Sequence, residues 1–567
     1  MKLKHLLMKT LFVAAGLCVG QSVWADETTV GNVDNSSDWW SEFSNDYTLA
    51  DNQKLYLEFT NYTSAYVAET WKDYFNWVII VKNDQDGHST TENPNYAEYF
   101  AMNSANNSWG GCNVAENRYC KDYVWGEANQ NRMNGANVKM TITRENGRVS
   151  IYALMSNTTQ EGTETSPTLK SWSESSFFDL PAEAASQNIR FFLSVEKAHI
   201  VIDNSKTATT PTTAGYYTVG TAAKDALFFS AFSDYYSVPA NQTMKLHFKN
   251  YSLKGENYQN WIAVLTNNKK RTETGYSEYL VLRNDNYGWG TKYSGGTLTS
   301  NFDWGTFMDE MDGSDVVMTV TRTGATFTLY ADITASGGST KRFEQFVGTC
   351  DAEEELYFFL TTDHGYLSIQ SLENASISSY GWATFSSDYA LDFSKATTGL
   401  EAYMITGHSG NVVTKTQVTG TVPAGTGLLL KGDAGSYNIP IVGSSTTDVS
   451  ANLMKAGTGA AISAEGSMTK YVLGVSDNGT AGDTSDDFAE FQKITATSAT
   501  VAKGKAYLQF NEVISARSLY FEDEVTGIAN VEAAAETKAN EGKFIDNGKL
   551  VIVKNGVKYN VAGAKLY

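Results

Sequence analysis

Apolar and polar residues alternate along much of the chain, and this alternation predicts β-strands. In segments 55–59 and 138–142 every second residue is apolar, a period of two that places those side chains on one face of a sheet. An Asn146-Gly147 dipeptide between two such segments is typical of a hairpin turn. Segments 124–133 and 303–311 could each hold one short helix. Many strands joined by frequent turns predict an all-β fold.

One series of short motifs occurs twice in the same order. Segment 52–62 returns at 241–251, and the stretch 133–153 returns at 311–331 without a gap. Four further pairs match in the same order: Asn76-Trp77 with Asn260-Trp261, Tyr96–Tyr99 with Tyr276–Tyr279, Trp109-Gly110 with Trp289-Gly290, and Phe191–Leu193 with Phe358–Leu360. Because each copy is long enough to bury its own core, the repeat predicts two tandem domains and not a solenoid.

Composition changes after the second copy. From residue 378 Ser, Thr, Gly and Ala become frequent, yet strand-like segments continue to residue 527, followed by an alanine-rich linker and a final hairpin. The predicted fold is all-β, with two tandem jelly-roll-like antiparallel β-sandwiches followed by a third β domain and a short C-terminal hairpin. The predicted parts are a signal peptide at 1–25, repeats at 26–205 and 216–377, the third domain at 378–527, and linker plus hairpin at 528–567.

The first 25 residues have the features of a secretory signal. Three lysines flank or precede an apolar run at 11–19, and Val23 and Ala25 occupy the small-residue positions before a cleavage site. A lipoprotein signal centred on Cys18 is the alternative, but Leu17 is bulky for the position before such a cysteine. No later apolar run approaches the roughly 20 residues of a membrane helix. We therefore expect a secreted or cell-surface protein without a membrane span.

The charge balance excludes some partners. The chain has 63 acidic and 43 basic residues, a formal net charge of -20. Neutralising phosphate or sulfate groups needs clusters of basic residues. The balance therefore argues against nucleic acids and strongly anionic polysaccharides. Aromatic residues are frequent, with 12 Trp, 32 Tyr and 27 Phe, whereas there are only 7 Pro, which suits sheets and tight turns more than flexible linkers.

The sequence offers little for catalysis. Glycosidases need two carboxylates at a set separation, which in sandwich-type glucanases usually alternate along one strand. Glu98 and Glu278 are the acids shared between the copies inside a strand-like motif, and each lacks a second shared acid nearby. No Gly-x-Ser-x-Gly or His-Glu-x-x-His motif occurs, and no histidine is shared. We predict that the chain is not an enzyme, which leaves the two glutamates a ligand-binding or a structural role.

Two acidic loops are candidates for structural calcium. Asp84 and Asp86 supply alternating oxygens, and Asp477 leads to further acids at 483–487. Calcium binds six to eight oxygens on a flexible loop. The first loop becomes Asn268-Lys269-Lys270-Arg271 in the second copy, which cannot bind a cation. A solvated turn is the alternative for both loops, and no other cofactor is predicted.

Three cysteines follow the signal segment. Cys112 and Cys120 are close enough in the chain to close a loop disulfide in an oxidising compartment, and two free thiols are the alternative. Cys350 has no evident partner and is predicted to pack as a small apolar side chain.

Several short segments are similar to known modules. They are Asn260-Trp261, 275–279 and 285–290 in the repeat, 381–385 and 422–427 in the third domain, and 555–563 in the tail. The repeat resembles non-catalytic, carbohydrate-binding-like β-sandwich modules of secreted polysaccharide-utilisation proteins from Bacteroidetes-type gut bacteria. The third domain resembles a β module common in exported proteins of that group, and the tail resembles the short element that often ends them. The resemblance brings no catalytic signature.

Aromatic residues on turns are the strongest indication of function. Sugar rings have apolar faces that stack on exposed Trp or Tyr, while a few polar groups bind the hydroxyls. Trp289 follows the turn-forming segment 285–288, and Trp109 has the same place after 106–108. A structural role for both tryptophans is the alternative. The predicted ligand-binding residues are Trp289, Tyr287, Asn286, Arg283, Glu278, Trp109, Glu98, Trp304 and Trp125.

Other tryptophans are predicted to be internal. Trp77 and Trp261 lead directly into apolar runs. Trp39 and Trp40 become Phe228-Phe229 in the second copy, a replacement that a buried core tolerates easily.

Two functions from different classes follow. The first is a secreted or cell-surface, non-catalytic protein that holds neutral polysaccharide on exposed aromatic platforms, one in each repeat. The second is a surface adhesin or structural spacer with a protein partner. An exposed strip of Trp, Tyr and Asn favours sugar, whereas a wide apolar patch favours protein. The second copy has an additional aromatic, Tyr287, and is predicted to bind more tightly than the first.

Overall fold

The computed structural model describes residues 26–105, 107–114, 117–157, 170–298, 303–463, 467–477, 487–495, 499–521, 542–546, 549–554, 557–560 and 565–566. The signal segment and the linker 528–541 lie outside the described residues. Almost all regular structure is antiparallel β-strand, which confirms the all-β prediction. Helices α1 Glu127–Met133 and α3 Phe307–Met311 lie in the two segments predicted to hold one, whereas the short α2 Ala182–Ala185 was not predicted.

The first copy is a sandwich of two antiparallel sheets. The larger sheet contains β1 Glu27–Val30, β3 Gln53–Thr63, β7 Tyr119–Lys121, β8 Ala136–Glu145, β9 Arg148–Asn157, β10 Lys170–Asp179, β12 Ala198–Asp203 and β13 Ala208–Pro211. The smaller sheet contains β2 Tyr47–Leu49, β4 Trp77–Asn83, β5 Glu98–Asn103, β6 Ser108–Trp109 and β11 Ile189–Val195. Because β13 pairs with β3, the copy extends beyond the predicted end at residue 205.

The second copy repeats this topology. Its larger sheet contains β14 Tyr216–Gly220, β16 Thr243–Ser252, β20 Tyr293–Leu298, β21 Ser314–Thr323, β22 Thr326–Thr334, β23 Thr340–Val347 and β25 Gly365–Gln370. Its smaller sheet contains β15 Tyr236–Val238, β17 Trp261–Thr266, β18 Glu278–Arg283, β19 Gly288–Trp289 and β24 Leu356–Thr362. The spatial orders β1-β12-β3-β8-β9-β10-β7 and β14-β25-β16-β21-β22-β23-β20 correspond strand for strand, as do β2-β11-β4-β5-β6 and β15-β24-β17-β18-β19.

The smaller sheet of each copy is apolar on both faces. In β4, Trp77, Ile79 and Val81 face the core shared with the larger sheet, whereas Val78 and Ile80 face outward, and all five are 0% exposed. Strand β17 has the same arrangement. The continuous apolar runs thus correspond to strands that are covered on both sides, and the prediction that Trp77 and its counterpart in β17 are internal is confirmed.

Buried polar side chains hold the two ends of each sandwich. At the helix end, the amide of Asn61 donates to the Asn76 side chain at 2.8 Å and to a carbonyl of α1 at 2.9 Å. Asn250 and Asn260 make the same pair in the second copy, at 2.7 Å. Since all of these amides are fully buried, they tie the strand, the following loop and the helix together without help from solvent.

At the opposite end each copy buries an arginine. Arg144 is 0% exposed and donates to the carbonyls of Leu49 and Ala185, at 3.0 and 2.8 Å. Its counterpart Arg322 is 1% exposed and donates to the carbonyls of Val238, Asp351, Ala352 and Glu354. A planar group with five donors thereby satisfies several loop carbonyls at once.

The two copies are joined by an extensive polar and aromatic contact, here called the junction. Arg148 of the first copy forms a 2.7 Å ion pair with Asp234 of the second. The hydroxyl of Tyr152, which is 5% exposed and packs with the core of the second copy, lies 2.9 Å from the Ser230 hydroxyl. The carboxylate of Glu145 accepts two hydrogen bonds from Thr218, one from the backbone N–H at 2.7 Å and one from the side-chain hydroxyl at 2.9 Å. These contacts make the two sandwiches one unit.

The third region has three stacked layers. Its first sheet contains β26 Leu372–Ile377, β28 Ala390–Asp392, β31 Thr421–Val422 and β33 Gly435–Val442, and its middle sheet β27 Trp382–Phe385, β29 Glu401–Ser409, β30 Val412–Val418 and β32 Leu428–Lys431. The last sheet contains β34 Met454–Ala456, β36 Thr469–Ser476, β37 Phe488–Lys493, β39 Ala506–Phe510 and β40 Ser518–Leu519, with β35 Ala461–Ile462 and β38 Ala499–Thr500 as a separate pair. Adjacent residues of the middle sheet face different cores.

Two details extend the predicted domain plan. Strand β26 precedes residue 378 but pairs with β33, so it belongs structurally to the third region. The predicted C-terminal hairpin is present as β42 Lys549–Lys554 and β43 Val557–Asn560, and β41 Gly542–Asp546 pairs with it as a third strand.

Replacing the buried arginine of the second copy tests this account of the fold. Arg322→Met is expected to lower the free energy of unfolding by about 3 kcal/mol or more, because it leaves several buried carbonyls without a donor. Lys249→Met is the control, since Lys249 is 44% exposed and only loosely paired with Asp315, and its effect should stay within about 0.5 kcal/mol. Urea unfolding followed by circular dichroism measures both. Equal stability of the two variants would contradict the role of the buried arginine.

Candidate functional site

Three tryptophans form a continuous ring cluster on the outer face of the smaller sheet in the first copy. The ring of Trp39 lies 5.3 Å from that of Trp40 and 5.5 Å from that of Trp109. Trp39 is 40% exposed, whereas Trp40 and Trp109 are half-buried against the outward-facing Val78 and Ile80. We call Trp39, Trp40 and Trp109 the copy-1 aromatic surface.

The second copy has a related surface at the same edge strand. Trp289 on β19 is half-buried, with one side against the outer face of the sheet, so it is less exposed than the sequence predicted. Tyr287 is 57% exposed and its ring lies 5.8 Å from that of Trp289. The Arg283 guanidinium lies between Tyr287 and Tyr258, 4.9 and 5.0 Å from the ring centres. We call Tyr258, Tyr287 and Trp289 the copy-2 aromatic surface.

An ion pair and a tight turn fix the copy-2 aromatic surface. Asp285 pairs with both edges of the Arg283 guanidinium, one contact being 3.0 Å from its Nε. Asn286 occupies the left-handed region at φ 62°, a conformation that Asn tolerates better than most residues. Its side-chain oxygen is buried and makes no hydrogen bond to the described residues. The structure therefore brings Arg283, Asn286, Tyr287 and Trp289 together, as the sequence predicted.

The two glutamates shared between the copies each accept a tyrosine hydroxyl. The hydroxyl of Tyr96 donates to Glu98 at 3.3 Å, and that of Tyr276 donates to Glu278 at 3.2 Å. Burial raises the pKa of Glu98, while the Tyr96 hydroxyl and the Trp109 indole lower it. Burial likewise raises the pKa of Glu278, opposed by Tyr276. Both carboxylates are half-buried acceptors rather than free surface charges, and Glu98 lies beside Trp109 of the copy-1 aromatic surface.

The remaining predicted aromatics lie at the helix end of each sandwich. Trp125 precedes α1, is 64% exposed and lies 4.5 Å from the ring of Tyr123. Trp304 precedes α3, is 46% exposed and lies 4.9 Å from the ring of Phe307. Both are exposed rings on helix-end segments, distinct from the edge strands β6 and β19 that carry the two aromatic surfaces.

Sequence reasoning missed three residues of the two surfaces. Trp39 and Trp40 were interpreted as core because their counterparts are Phe, yet Trp39 is substantially exposed. They cover the outer face of the sheet, where a Phe can also pack. Tyr258 is 38% exposed on the loop before β17, and no motif marked it. A pattern of apolar residues on both faces of β4 was the available signal that an aromatic cover was needed.

The predicted calcium loop is filled by cations of the protein itself. Arg190 pairs with Asp84 and Asp86, both at 2.6 Å, which lowers the pKa of Asp86. The fully buried ammonium of Lys82 donates to the carbonyls of Gln85 and Gly87 at 2.9 and 2.8 Å, and pairs with Asp46 at 2.6 Å. The loop oxygens that a metal would need are thus already bound.

The other metal and disulfide predictions fare differently. Among the described residues no group of three or more His, Cys, Asp or Glu side chains could hold a metal ion, and most of the second acidic loop, 478–486, lies outside them. Cys112 and Cys120 are free thiols in this structure, which is the second of the two alternatives that the sequence left open. Cys112 packs against the core of the first copy, whereas Cys120 lies on β7 opposite Glu174. Burial raises the pKa of both thiols.

Comparison with known proteins adds little. No protein-family model matches the sequence, and no curated protein matches it. A crystal structure of the LG1-3 region of the laminin alpha2 chain is 8% identical, with 83% of this chain and 92% of that chain covered at a TM-score of 0.15. The receptor-binding domain of botulinum neurotoxin type G is 9% identical, with 62% and 76% covered at a TM-score of 0.12. At these TM-scores neither structure bears on the function of this chain.

No helix in the part of the chain that the structure describes is long and apolar enough to cross a membrane.

Calcium is expected to leave the melting temperature unchanged. The carboxylates of Asp84 and Asp86 are paired with Arg190, and Lys82 occupies the loop carbonyls. Thermal unfolding with excess calcium and with a chelator measures the effect. A rise in melting temperature with calcium that disappears in Asp84→Asn would show that the loop binds the ion after all.

Proposed function

We propose that the protein is an exported, non-catalytic carbohydrate-binding protein that holds neutral polysaccharide on its copy-1 and copy-2 aromatic surfaces. The observation that carries the proposal is a repeated arrangement at the edge of the smaller sheet. In both copies a half-buried edge-strand Trp adjoins a more exposed ring, Trp109 beside Trp39 and Trp289 beside Tyr287. Export rests on the signal-like segment at 1–25.

Adjoining rings suit a sugar chain for a physical reason. The C–H faces of pyranose rings are apolar and flat enough to stack on indole or phenol rings. By analogy with bases stacked on aromatic side chains, each ring contributes about 1–3 kcal/mol. Because Trp109 and Trp289 are held by packing on one side, little conformational freedom is lost when a ligand covers the other side.

Polar groups close to the rings supply hydrogen bonds to hydroxyls. At the copy-1 surface Glu98 is an acceptor beside Trp109, and at the copy-2 surface the Arg283 guanidinium lies between Tyr258 and Tyr287. A few fixed polar groups beside an apolar platform are typical of ligand sites.

The same arrangement supports binding without turnover. Hydrolysis of a glycosidic bond needs two carboxylates that flank it, one of them a proton donor. At the copy-2 surface Asp285 is committed to Arg283, and neither Glu278 nor its counterpart Glu98 has a second acid nearby that is shared between the copies. We therefore propose a binding role for the glutamates and no hydrolytic one.

The structure changes our expectation of which copy binds more tightly. The copy-1 aromatic surface joins three indole rings, whereas the copy-2 surface joins one indole and two phenol rings. Indole presents the larger stacking area. We therefore propose that the first copy is the stronger site, in place of the second copy that the sequence favoured.

Affinity electrophoresis of the full chain in gels containing neutral polysaccharides tests the proposal. Trp39→Ala is expected to weaken binding by one to two orders of magnitude, the equivalent of about 1–3 kcal/mol, with little change in melting temperature. Tyr287→Ala should have a smaller effect. Tyr62→Ala is the matched control, because Tyr62 is also a partly exposed ring, at 37%, but lies on the larger sheet.

The outcomes separate the two functional classes. Retarded migration that Trp39→Ala abolishes and Tyr62→Ala preserves supports the carbohydrate role. The absence of retardation in every neutral polysaccharide would contradict it and leave the adhesin or spacer role. Release of reducing ends from those polysaccharides would contradict the non-catalytic assignment.

A further inference from the structure

A basic loop stands out in this acidic protein. Lys269, Lys270 and Arg271 follow one another after β17, on a chain whose formal net charge is -20. The loop lies next to the junction, because the Arg271 guanidinium lies 5.6 Å from the ring centre of Tyr119 in the first copy. Lys121 of the first copy also reaches this face, 5.9 Å from the ring centre of Phe228.

The Arg271 guanidinium is enclosed by aromatic rings. It lies 3.4 Å from the ring centre of Phe232, and 5.4 Å from those of Tyr235 and Phe359. Tyr119 completes the enclosure from the other copy. Ring faces attract a cation, but they accept no strong hydrogen bond.

All three guanidinium nitrogens of Arg271 are buried without a hydrogen-bond acceptor among the described residues. The Tyr235 hydroxyl accepts the backbone N–H of Arg271 at 2.9 Å. Burial lowers the pKa of Arg271, and the neighbouring Tyr235, Tyr276 and Tyr119 oppose this shift. A buried cation without acceptors costs several kcal/mol in a folded protein, a cost that the ring contacts offset in part.

In the first copy a buried cation that has hydrogen-bond acceptors, Lys82, lies beside the equivalent aromatic ring. Lys82 lies 5.7 Å from the ring centre of Phe192, the counterpart of Phe359. Unlike Arg271, it has a carboxylate, Asp46, at 2.6 Å and two backbone carbonyls as acceptors. In the second copy Thr266 has the position of Lys82, and a cation from the following loop, Arg271, lies beside the equivalent ring without such acceptors.

We infer that Arg271, with Lys121 and Lys270 at the rim, is a binding site for one anionic group of a sugar, a carboxylate or a sulfate ester, at the junction of the two copies. A guanidinium binds such groups through two parallel hydrogen bonds, which are the bonds that Arg271 lacks. The inference rests on the proposed glycan-binding function and adds one acidic residue to an otherwise neutral ligand. A single site of this kind is compatible with the overall negative charge, which disfavours densely charged polymers.

The rim of the site fits an incoming sugar. Phe228 is 36% exposed beside Lys121, and Lys270 lies 5.9 Å from the ring centre of Tyr235. Tyr119 and Tyr276 are partly buried, and the Tyr276 hydroxyl donates to Glu278, so the inference requires one of these rings to turn aside when the ligand enters. Rotations of partly exposed side chains are fast compared with binding.

The competing explanation is that Arg271 only fastens the junction through its ring contacts. The two explanations differ in the sign of a stability change. If Arg271 is an uncompensated buried cation that is kept for a ligand, its replacement by Met should not lower the stability of the protein. If Arg271 fastens the junction, the same replacement should lower it. Lys82→Met supplies the calibration, because it removes the closest cation from Asp46, which keeps longer contacts to Arg190 and His88, and leaves two carbonyls without this donor.

The experiment uses the full chain, with D-glucuronate, glucose 6-sulfate and uncharged glucose as probes. Isothermal titration should show one of the charged sugars binding about tenfold or more tightly than glucose, with a preference that weakens as salt is added. Arg271→Met should abolish the preference and keep or raise the melting temperature. Lys82→Met should lower the melting temperature and keep the preference.

Each outcome decides the inference. A response to glucuronate alone assigns a carboxylate, and a response to the sulfate alone assigns a sulfate ester. Equal affinity for charged and uncharged sugars overturns the inference, as does a fall in melting temperature of Arg271→Met comparable with that of Lys82→Met. If neutral polysaccharide still binds in a Trp39-dependent manner in either case, the proposed function stands and only the anion site is wrong. If a charged sugar binds in an Arg271-dependent manner but no neutral polysaccharide binds, the anion site stands and the proposed function is wrong.

Discussion

The smaller sheet of each copy is apolar on both faces, and much of the surrounding structure follows from that constraint. A sheet in a two-layer sandwich needs only one apolar face, because the other can face water. Here the outward residues Val78, Ile80, Ile262 and Val264 are fully buried, so a further layer must cover them. Aromatic residues provide it in both copies. The rings that form the aromatic surfaces are therefore first a cover for the sheet and only then a candidate binding surface.

The two copies solve the covering problem differently. In the first copy Trp40 and Phe43 cover the sheet, and Trp39 lies on top as an exposed ring. In the second copy the cover consists of Phe229, Phe232, Tyr235 and Trp289, and Tyr119 of the first copy joins it through an edge contact with Phe232 at 5.0 Å. Sequence divergence at these few positions thus leaves one open tryptophan surface and one face that contributes to the junction. Equivalent topology does not make the two faces equivalent for a ligand.

Much of the fold could be predicted because its determinants are local. The period-two alternation, the Asn146-Gly147 turn and the ordered repeat all lie in contiguous sequence, and each has its counterpart in the strands and in the matched strand orders. The paired Asn61 and Asn76 are 15 residues apart, and their contact could be guessed only from their recurrence as Asn250 and Asn260. Helices α1 and α3 were found because each precedes a strand in an aligned segment.

The site could be predicted only in part because its members come from distant segments. Tyr287 and Trp289 are near neighbours in the chain, and the turn before them indicated their role. Whether Trp39 is core or surface depends on how much of it the edge strand β6 covers, which no local pattern records. The basic run at 269–271 was visible in the sequence, but the ring from the first copy that helps to enclose Arg271 was not. The closeness of Cys112 and Cys120 in the sequence left a disulfide and two free thiols as alternatives, and the fold places them in a core-facing loop and on an edge strand.

The most direct test of the account is a crystal structure of the full chain with a neutral oligosaccharide bound. The account predicts a sugar ring lying parallel to the exposed face of Trp39 or Trp109, at the van der Waals distance of about 3.5–4 Å between carbon atoms. A sugar bound instead in the third region, or at the larger sheets with the tryptophan faces bare, would contradict it.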